Sequence, residues 1–471
     1  MTEMSRLKIT ILLLLATALI ARTDERTQQA VDRYAAANGM ACAAAGVAIY
    51  DIEADTLIAG NIPRQAITTA STMKTIISIA ALELLGGDFR FNTEVYIDGR
   101  VQGDTLHGNL RVVGAGDPTL GSRHIKGQPD FIKEITAALK EKNIRCISGD
   151  IITDLSLYPT PAYSIHWDVG DLAWDYGTGV HPLNWADNVA NVAFRVDKWG
   201  RFSNFRFIPN LPGVEIINQM RFSTGVSDVD YGLEYGTPGI VLMGPAKPGS
   251  YNLRCANPAP AALFADSLEH SLTRAGVRIL RQEVEANRGT RLITHQSPEL
   301  TDIVSSLLDR SDNMFAHALL RAIAVRDPAW QGRNLDPTGV AAVKKVLKKY
   351  NIDTSALFMR DGSGLARINR TSPLLLAQTL ARVAAKQYNG KTLVQLMPEA
   401  GKRVGTLLPA TALSKQIHLK SGSMSDVQCF VGYYPADKPR YTFALLANNY
   451  TCSRAELKNH MDRLLIAIFG K

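Results

Sequence analysis

The sequence predicts an α+β fold: a five-stranded antiparallel sheet with helices on both faces, interrupted by a mostly β insertion. Three observations carry this. Strand-like segments stand at both ends of the chain, apolar helical segments border the middle, and short strands and turns take over from Asp88 to about Arg288. A two-stranded hairpin is marginal in water by itself, so the strands at the two ends are expected to pair into one sheet. The 471 residues suit roughly three average domains.

In chain order, a polar helix around Glu25 to Ala37 comes first. Ala41 to Tyr50 is rich in small and β-branched residues, Asp51 to Asp55 supplies a turn, and Thr56 to Ala59 returns as the second arm of a hairpin. Thr75 to Leu85 is apolar at nearly every position and is closed by Gly86-Gly87, so this helix belongs inside a domain. The insertion holds strand candidates at Val95 to Ile97, Gly108 to Val113, Ile147 to Ile152 and Ile240 to Leu242. Helices are expected at Ser297 to Leu308, Met314 to Val325, Gly339 to Tyr350 and Leu374 to Ala385. Strands at Gln416 to Lys420, Val427 to Tyr434 and Tyr441 to Asn448, then a helix from Ser453 to Phe469, close the chain. The first and last helices would cover one face of the sheet and the helical middle the other.

Composition removes several function classes. Hydrophobic residues at 46% and charged ones at 20% are globular values that exclude a mostly disordered chain. The net charge of +8 comes from scattered Lys and Arg, and the compact cluster Lys344-Lys345 with Lys348-Lys349 has the spacing of a solvated helix face, so no nucleic-acid partner is expected. Five dispersed cysteines and nine dispersed histidines form no zinc, redox or HExxH pattern, so neither metal nor cofactor is expected. Cys42, at the start of the first strand, and Cys452, at the end of the last, could lie close enough for a disulfide across neighbouring strands, with free thiols as the alternative.

The N-terminus reads as a secretory signal over residues 1–21. Arg6 and Lys8 precede an apolar stretch from Ile9 to Ile20, too short for the roughly 20 residues that span a bilayer. Cleavage after Ala18 or Ala21 would release an exported, periplasmic protein. An uncleaved membrane anchor is the alternative.

Three clusters can do chemistry. Ser71 and Lys74 are one helical turn apart, which lets the amine take the hydroxyl proton and make a nucleophile. The helix start also aims backbone N–H groups at developing negative charge. Ser311-Asp312-Asn313 lies on a turn between helices and, alone, reads as a cap. Lys420-Ser421-Gly422-Ser423 ends a strand, with Gly422 permitting close approach of a ligand and the others offering an ammonium and hydroxyls.

In this order the clusters resemble the SxxK, SxN and K[ST]G triplet of the penicillin-recognising serine acyltransferases. Ala70-Ser71-Thr72-Met73-Lys74, Gly114 to Leu120, Ser311 to Met314 and Asp361-Gly362-Ser363-Gly364-Leu365 narrow the likeness to the class C low-molecular-mass penicillin-binding proteins, the D-alanyl-D-alanine carboxypeptidase/endopeptidase family. The long gap between Lys74 and Ser311 agrees. The resemblance implies a penicillin-binding, β-lactamase-like domain at residues 22–87 and 289–471, an inserted domain at 88–194 and 251–288, and a third nested at 195–250. Departures include Lys-Ser-Gly for Lys-Thr-Gly, Ala115 for a Gly and His317 at an often acidic position. None removes a catalytic atom.

The resemblance also implies roles. Ser71 attacks the carbonyl between two D-alanines, with Lys74 as base; Ser311 relays the proton to the leaving amine; Asn313 holds Lys74 and the substrate amide. Lys420 keeps Lys74 neutral, Ser421 and Ser423 bind the substrate's terminal carboxylate beside Gly422, where the substrate approaches the backbone, and the amides of Ser71 and Ser423 form the oxyanion hole. Stem peptides of peptidoglycan would be substrates and β-lactams inhibitors. A loop of the insertion, Gly149 to Trp167, would meet a free amine on the substrate side chain through Asp154, Tyr158 and Trp167, although Asp154 could simply cap a turn and Tyr158 simply pack. Rivals are a β-lactamase, an esterase or amidase of the same fold, and a non-catalytic wall-binding protein.

Overall fold

The computed structural model describes residues 25–158, 161–234, 238–285, 289–333, 335–402, 407–409 and 411–470. The expected signal segment lies outside the described residues. Among them, no helix is long and apolar enough to cross a membrane. The chain divides into two compact units, Met1–Ile79 with Lys344–Met359 and Ile368–Lys471, and Ala80–Val343 with Arg360–Arg367.

The first unit is built on the expected sheet. Its strands are β1 (Ala44–Asp51), β2 (Thr56–Asn61), β3 (His418–Met424), β4 (Val427–Tyr434) and β5 (Tyr441–Asn448), in the order β2-β1-β5-β4-β3. All neighbours are antiparallel, and β1 pairs with β5 in an unbroken register from Ala44 opposite Asn448 to Asp51 opposite Tyr441. Alternation sets the two faces. Ala45, Val47 and Ile49 join Ala30, Val31, Leu457, Met461 and Leu465 in one core cluster, which places helices α1 (Glu25–Ala35) and α4 (Arg454–Phe469) on that side. Burying each large apolar side chain there stabilises the fold by about 1.5–3 kcal/mol.

The opposite face carries α3 (Pro373–Val383). A Cβ on Gly46 would come within 2.8 Å of Pro373 Cγ, so this helix lies close against the sheet. Tyr433 and Thr442 hydroxyls reach its carbonyls at Leu380 and Ala377, 2.8 and 2.9 Å away, which satisfies two polar groups buried there. The long apolar helix of the sequence is α2 (Met73–Leu85), and Gly86 follows it at φ +92°.

The second unit holds the insertion strands. Asn92–Gln102 and Thr105–Val113 form a hairpin at the centre of the largest sheet. Helices Phe131–Glu141 and Pro260–Arg274 pack on it through Phe131, Ile135, Leu139, Phe264 and Leu268. Neither helix was expected from the sequence. A further core around Val192, Phe194, Ile240 and Leu242 is formed by strands between Val189 and Ala256.

Three expectations need correction. Ile147 to Ile152 is two short strands, Cys146–Ile147 and Ile151–Asp154, because side chains interrupt the run between them: Ser148 Oγ accepts Gly108 N–H of the neighbouring strand, and Asn109 Oδ1 of that strand accepts Asp150 N–H. The strand of the Lys-Ser-Gly cluster continues through it to Met424. Cys42 and Cys452 are free thiols, as are the other three cysteines. Strand pairing ends at Ala44 and Asn448, and the chain beyond folds so that Gly39, not Cys42, faces Cys452: a Cβ on Gly39 would fall 2.5 Å from the Cys452 Cβ.

Candidate active site

Ser71 sits in a single 3-10 turn, Ala70–Thr72, directly ahead of α2. Ala70 takes a left-handed φ of +45°, a strained choice for a residue with a Cβ. The turn is held from several sides. Thr72 Oγ1 donates to Thr69 O at 2.7 Å, and Asn448 at the end of β5 grips Thr68 twice, accepting its N–H at 2.8 Å and donating to its carbonyl at 3.1 Å. Residues Ile67–Thr68 also pair with Arg370–Thr371.

Lys74 lies one turn further on. Its Nζ donates to Ser71 Oγ at 2.8 Å, and the side chain is fully buried. The hydroxyl and amine are thus in contact, with the amine withdrawn from water, as a Ser–Lys pair for proton transfer requires.

The Lys-Ser-Gly cluster runs along β3, the edge strand. Lys420 is 1% exposed, and its Nζ donates to Ser421 O at 2.5 Å. A Cβ on Gly422 would stand 2.8 Å from Ser71 N, 2.8 Å from Thr69 O and 2.9 Å from Thr72 N, so the Ser71 turn rests on this strand at its one residue without a side chain. Leu419 N–H points off the sheet edge to Pro398 O at 2.9 Å. The two-residue period then turns the N–H groups of Ser421 and Ser423 off the same edge. Gln428, opposite Ser423, donates to Gly422 O at 3.2 Å and accepts from Ser423 Oγ at 3.3 Å.

In the second unit, Ser311 ends helix Leu300–Arg310 in a left-handed conformation, φ +60°, and Asp312 caps the next helix, Asn313–Ala324, by accepting Phe315 N–H at 3.0 Å. Asn313 Nδ2 donates to Tyr176 O at 2.8 Å. Behind the turn, Arg310 donates to His124 Nε2 at 2.8 Å. Burial, reinforced by Arg310 and Arg123, lowers the His124 pKa to about 4, so its ring is neutral at pH 7 and free to accept.

Two other family-like stretches are turns organised by buried carboxylates. Asp361 Oδ1 accepts from Ser363 N, Ser363 Oγ and Gly364 N, each at 2.7 Å. Asp117 Oδ1 accepts from Thr119 N and Oγ1, also at 2.7 Å, while Oδ2 is buried without a partner. Burial raises the Asp117 pKa to about 6.

The three residues expected to meet a substrate amine have partners of their own. Asp154 accepts from Ser156 N at 3.0 Å and lies 3.4 Å from Arg111, with a quarter of its side chain open to solvent. Arg111 also pairs with Asp98, so the cluster carries two carboxylates for one guanidinium. The bond from Ser156 is the largest of the influences that keep Asp154 ionised, below the usual carboxylate range. Tyr158 and Trp167 are 4% and 6% exposed. The Tyr158 hydroxyl donates to His181 O at 2.9 Å, and the Trp167 ring packs on His317. Trp167 is therefore part of the interior.

Sequence reasoning missed Asn448 and Gln428, which brace the nucleophile's turn and the edge strand. Asn at a strand end and Gln within a strand carry no distinctive signal. Among the described residues, no three His, Cys, Asp or Glu side chains come together to hold a metal ion.

Comparison with known proteins places the chain in a family. The D-alanyl-D-alanine carboxypeptidase DacB of Haemophilus influenzae is 26% identical over 416 residues, covering 83% of this chain and 82% of that one. A D-alanyl-D-alanine carboxypeptidase of Actinomadura is 24% identical over 445 residues, covering 87% and 78%. The crystal structure of penicillin binding protein 4 (dacB) from Haemophilus influenzae superposes with a TM-score of 0.77 at 24% identity, over 93% of this chain and 99% of that one. The model of the D-Ala-D-Ala carboxypeptidase 3 (S13) family matches residues 27–467. The chain belongs to that family of serine peptidases.

Proposed function

We propose that this chain cleaves the D-alanyl-D-alanine bond of peptidoglycan stem peptides through an ester on Ser71, and that β-lactams block it by acylating the same oxygen. The observation that carries this reading is the 2.8 Å contact between Ser71 Oγ and the buried Lys74 amine. Lys74 takes the hydroxyl proton as Oγ bonds to the carbonyl carbon. The C–N bond then breaks, and the departing amine of the terminal D-alanine gains a proton through Ser311. Asn313 holds the substrate amide, Lys420 supplies positive potential, and Ser421 and Ser423 receive the terminal carboxylate. The amides of Ser71 and Ser423 stabilise the oxyanion. Water hydrolyses the ester and frees the enzyme, and the same chemistry on a cross-linked peptide is endopeptidase action.

Asp154 is proposed to attract a free amine on the substrate side chain. Its cluster with Asp98 and Arg111 keeps a net negative charge, and Tyr158 and Trp167 would shape the region from inside as fixed packing. An enzyme of the wall acts outside the cytoplasmic membrane, which fits export through the N-terminal segment. A crystal complex of the Haemophilus influenzae penicillin binding protein 4 with a β-lactam supports the inhibitor class. The test is labelling with a fluorescent penicillin, wild type beside Ser71→Ala, together with D-alanine release from a wall pentapeptide. Labelling and release that both vanish in Ser71→Ala are expected; labelling that persists there would refute the assignment, and acylation without release would leave a wall-binding protein.

A further inference from the structure

The helix that begins at Asn313 carries, two turns in, a charge that ordinarily faces water. Arg321 is 1% exposed. Its Nε lies 3.2 Å from Asp336 Oδ1, Nη1 donates to Val180 O at 2.8 Å, and Nη2 donates to Pro161 O at 2.8 Å. The guanidinium also stands over the Tyr158 ring, 5.4 Å from its centre. The other Asp336 oxygen lies 3.5 Å from His317 Nε2, one turn back on the same helix, and the His317 ring packs on Trp167 at 5.2 Å. Burial alone would raise the Asp336 pKa, but His317 and Arg321 outweigh it and hold the carboxyl well below its ordinary range.

Pro161 and Val180 are the two feet of one surface segment. Between them the only regular structure among the described residues is the short 3-10 turn Val169–Asp171. The segment's feet bond once to each other, Val180 N–H to Ala162 O at 2.9 Å, and a segment with so little regular structure draws on outside partners for the rest. One guanidinium ties down both feet, and the rigid fork of Arg is what lets one side chain serve two carbonyls and a carboxylate together. Near the far end of the segment, Tyr176 O receives the Asn313 amide at 2.8 Å. The helix thus fastens the segment at Arg321 and is met by it again at Asn313.

We propose that Arg321 is a positioning residue: by fixing Pro161 and Val180 it holds the Tyr176 carbonyl where it sets the orientation of the Asn313 amide. The proposal rests on the reading that Asn313 meets the substrate. A loosened segment lets that amide rotate, which slows the acylation step itself more than it weakens the encounter with substrate.

Arg321→Met alone would strand a buried carboxylate, so the informative variant is Arg321→Met with Asp336→Leu, which removes both charges together. Arg321→Lys keeps the charge without the fork. Acylation by fluorescent penicillin, resolved into a saturating rate and a half-saturating concentration, is read beside amide hydrogen exchange over residues 161–180. Faster exchange in that segment is expected, with a saturating rate at least about tenfold lower and little change in half-saturation. The Lys variant should fall between. Faster exchange with an unchanged saturating rate would reduce Arg321 to a structural brace, and unchanged exchange would show that it does not hold the segment; either overturns the proposal. If the double variant does not fold, an unchanged rate in Arg321→Lys overturns it equally. Persistent labelling of Ser71→Ala would instead sink the underlying reading of the site.

Discussion

Gly422 and the amide of Ser71 are so close that a single methyl carbon on Gly422 would lie 2.8 Å from that nitrogen. The strand therefore approaches the nucleophile's turn without a spacer, and Ser423 N–H leaves the sheet edge on the next residue. Gly422→Ala should push Ser71 N and Ser423 N out of common aim. Losing one such donor typically lowers the rate about 100- to 1000-fold. Penicillin acylation of Gly422→Ala should fall by that order while circular dichroism stays native; acylation within a few-fold of wild type would mean that the two amides do not act together.

Lys74→Ala should abolish acylation of Ser71 with the protein still folded, since the amine donates to the hydroxyl it is proposed to activate. Mass mapping of the residual adduct, if any, checks the site. Wild-type acylation rates in Lys74→Ala would assign the base elsewhere.

Asp154→Ala should reduce turnover of wall peptides bearing a free side-chain amine several-fold more than it reduces acylation by a simple penicillin, which has no amine to engage. The Asp98–Arg111–Asp154 cluster would then change from net negative to neutral. Equal losses on both substrates would confine Asp154 to capping the turn at Ser156.

Asp117 predicts a pH signature. Its pKa in the fold, about 6, lies above the unfolded value of 3.8, so the folded state holds the proton more tightly. The stability tied to that proton is complete below about pH 4 and is lost as pH rises through 6. A shift of this size corresponds to on the order of 3 kcal/mol. Urea unfolding at pH 4 and pH 7 should therefore show wild type losing its advantage over Asp117→Asn by about that amount at the higher pH. A difference that does not change with pH would mean that folding leaves the proton affinity of Asp117 unchanged.

The sheet was legible because its strands are apolar on both faces and its turns are marked, as at Asp51 to Asp55 and Pro435 to Pro439. The Ser71–Lys74 contact was legible because one helical turn fixes it locally. Helices Phe131–Glu141 and Pro260–Arg274 escaped, since each is a short amphipathic run among strands and turns. Arg321 and Asp336 escaped for a different reason. On a sequence, a buried charge looks the same as a solvated one, and the carbonyls that justify its burial belong to Pro161 and Val180, far away along the chain. Asn448 is a similar case: its partner Thr68 is known only once β5 lies beside β1.

The pairing of β1 with β5 also joins the two ends of the chain. Ser71 and Lys74 are far along the chain from the strand that flanks β1 and from the strand that bears Gly422, and both of those strands follow them. Closing so long a loop costs little extra free energy, because that cost grows only logarithmically with length. What it imposes is a dependence across the chain: a copy lacking β3 presents Ser71 and Lys74 without the strand on which their turn rests. Any acylating power would then appear only once β3 has docked beside that turn, so that a truncated copy would hold the serine and the lysine and still be inert.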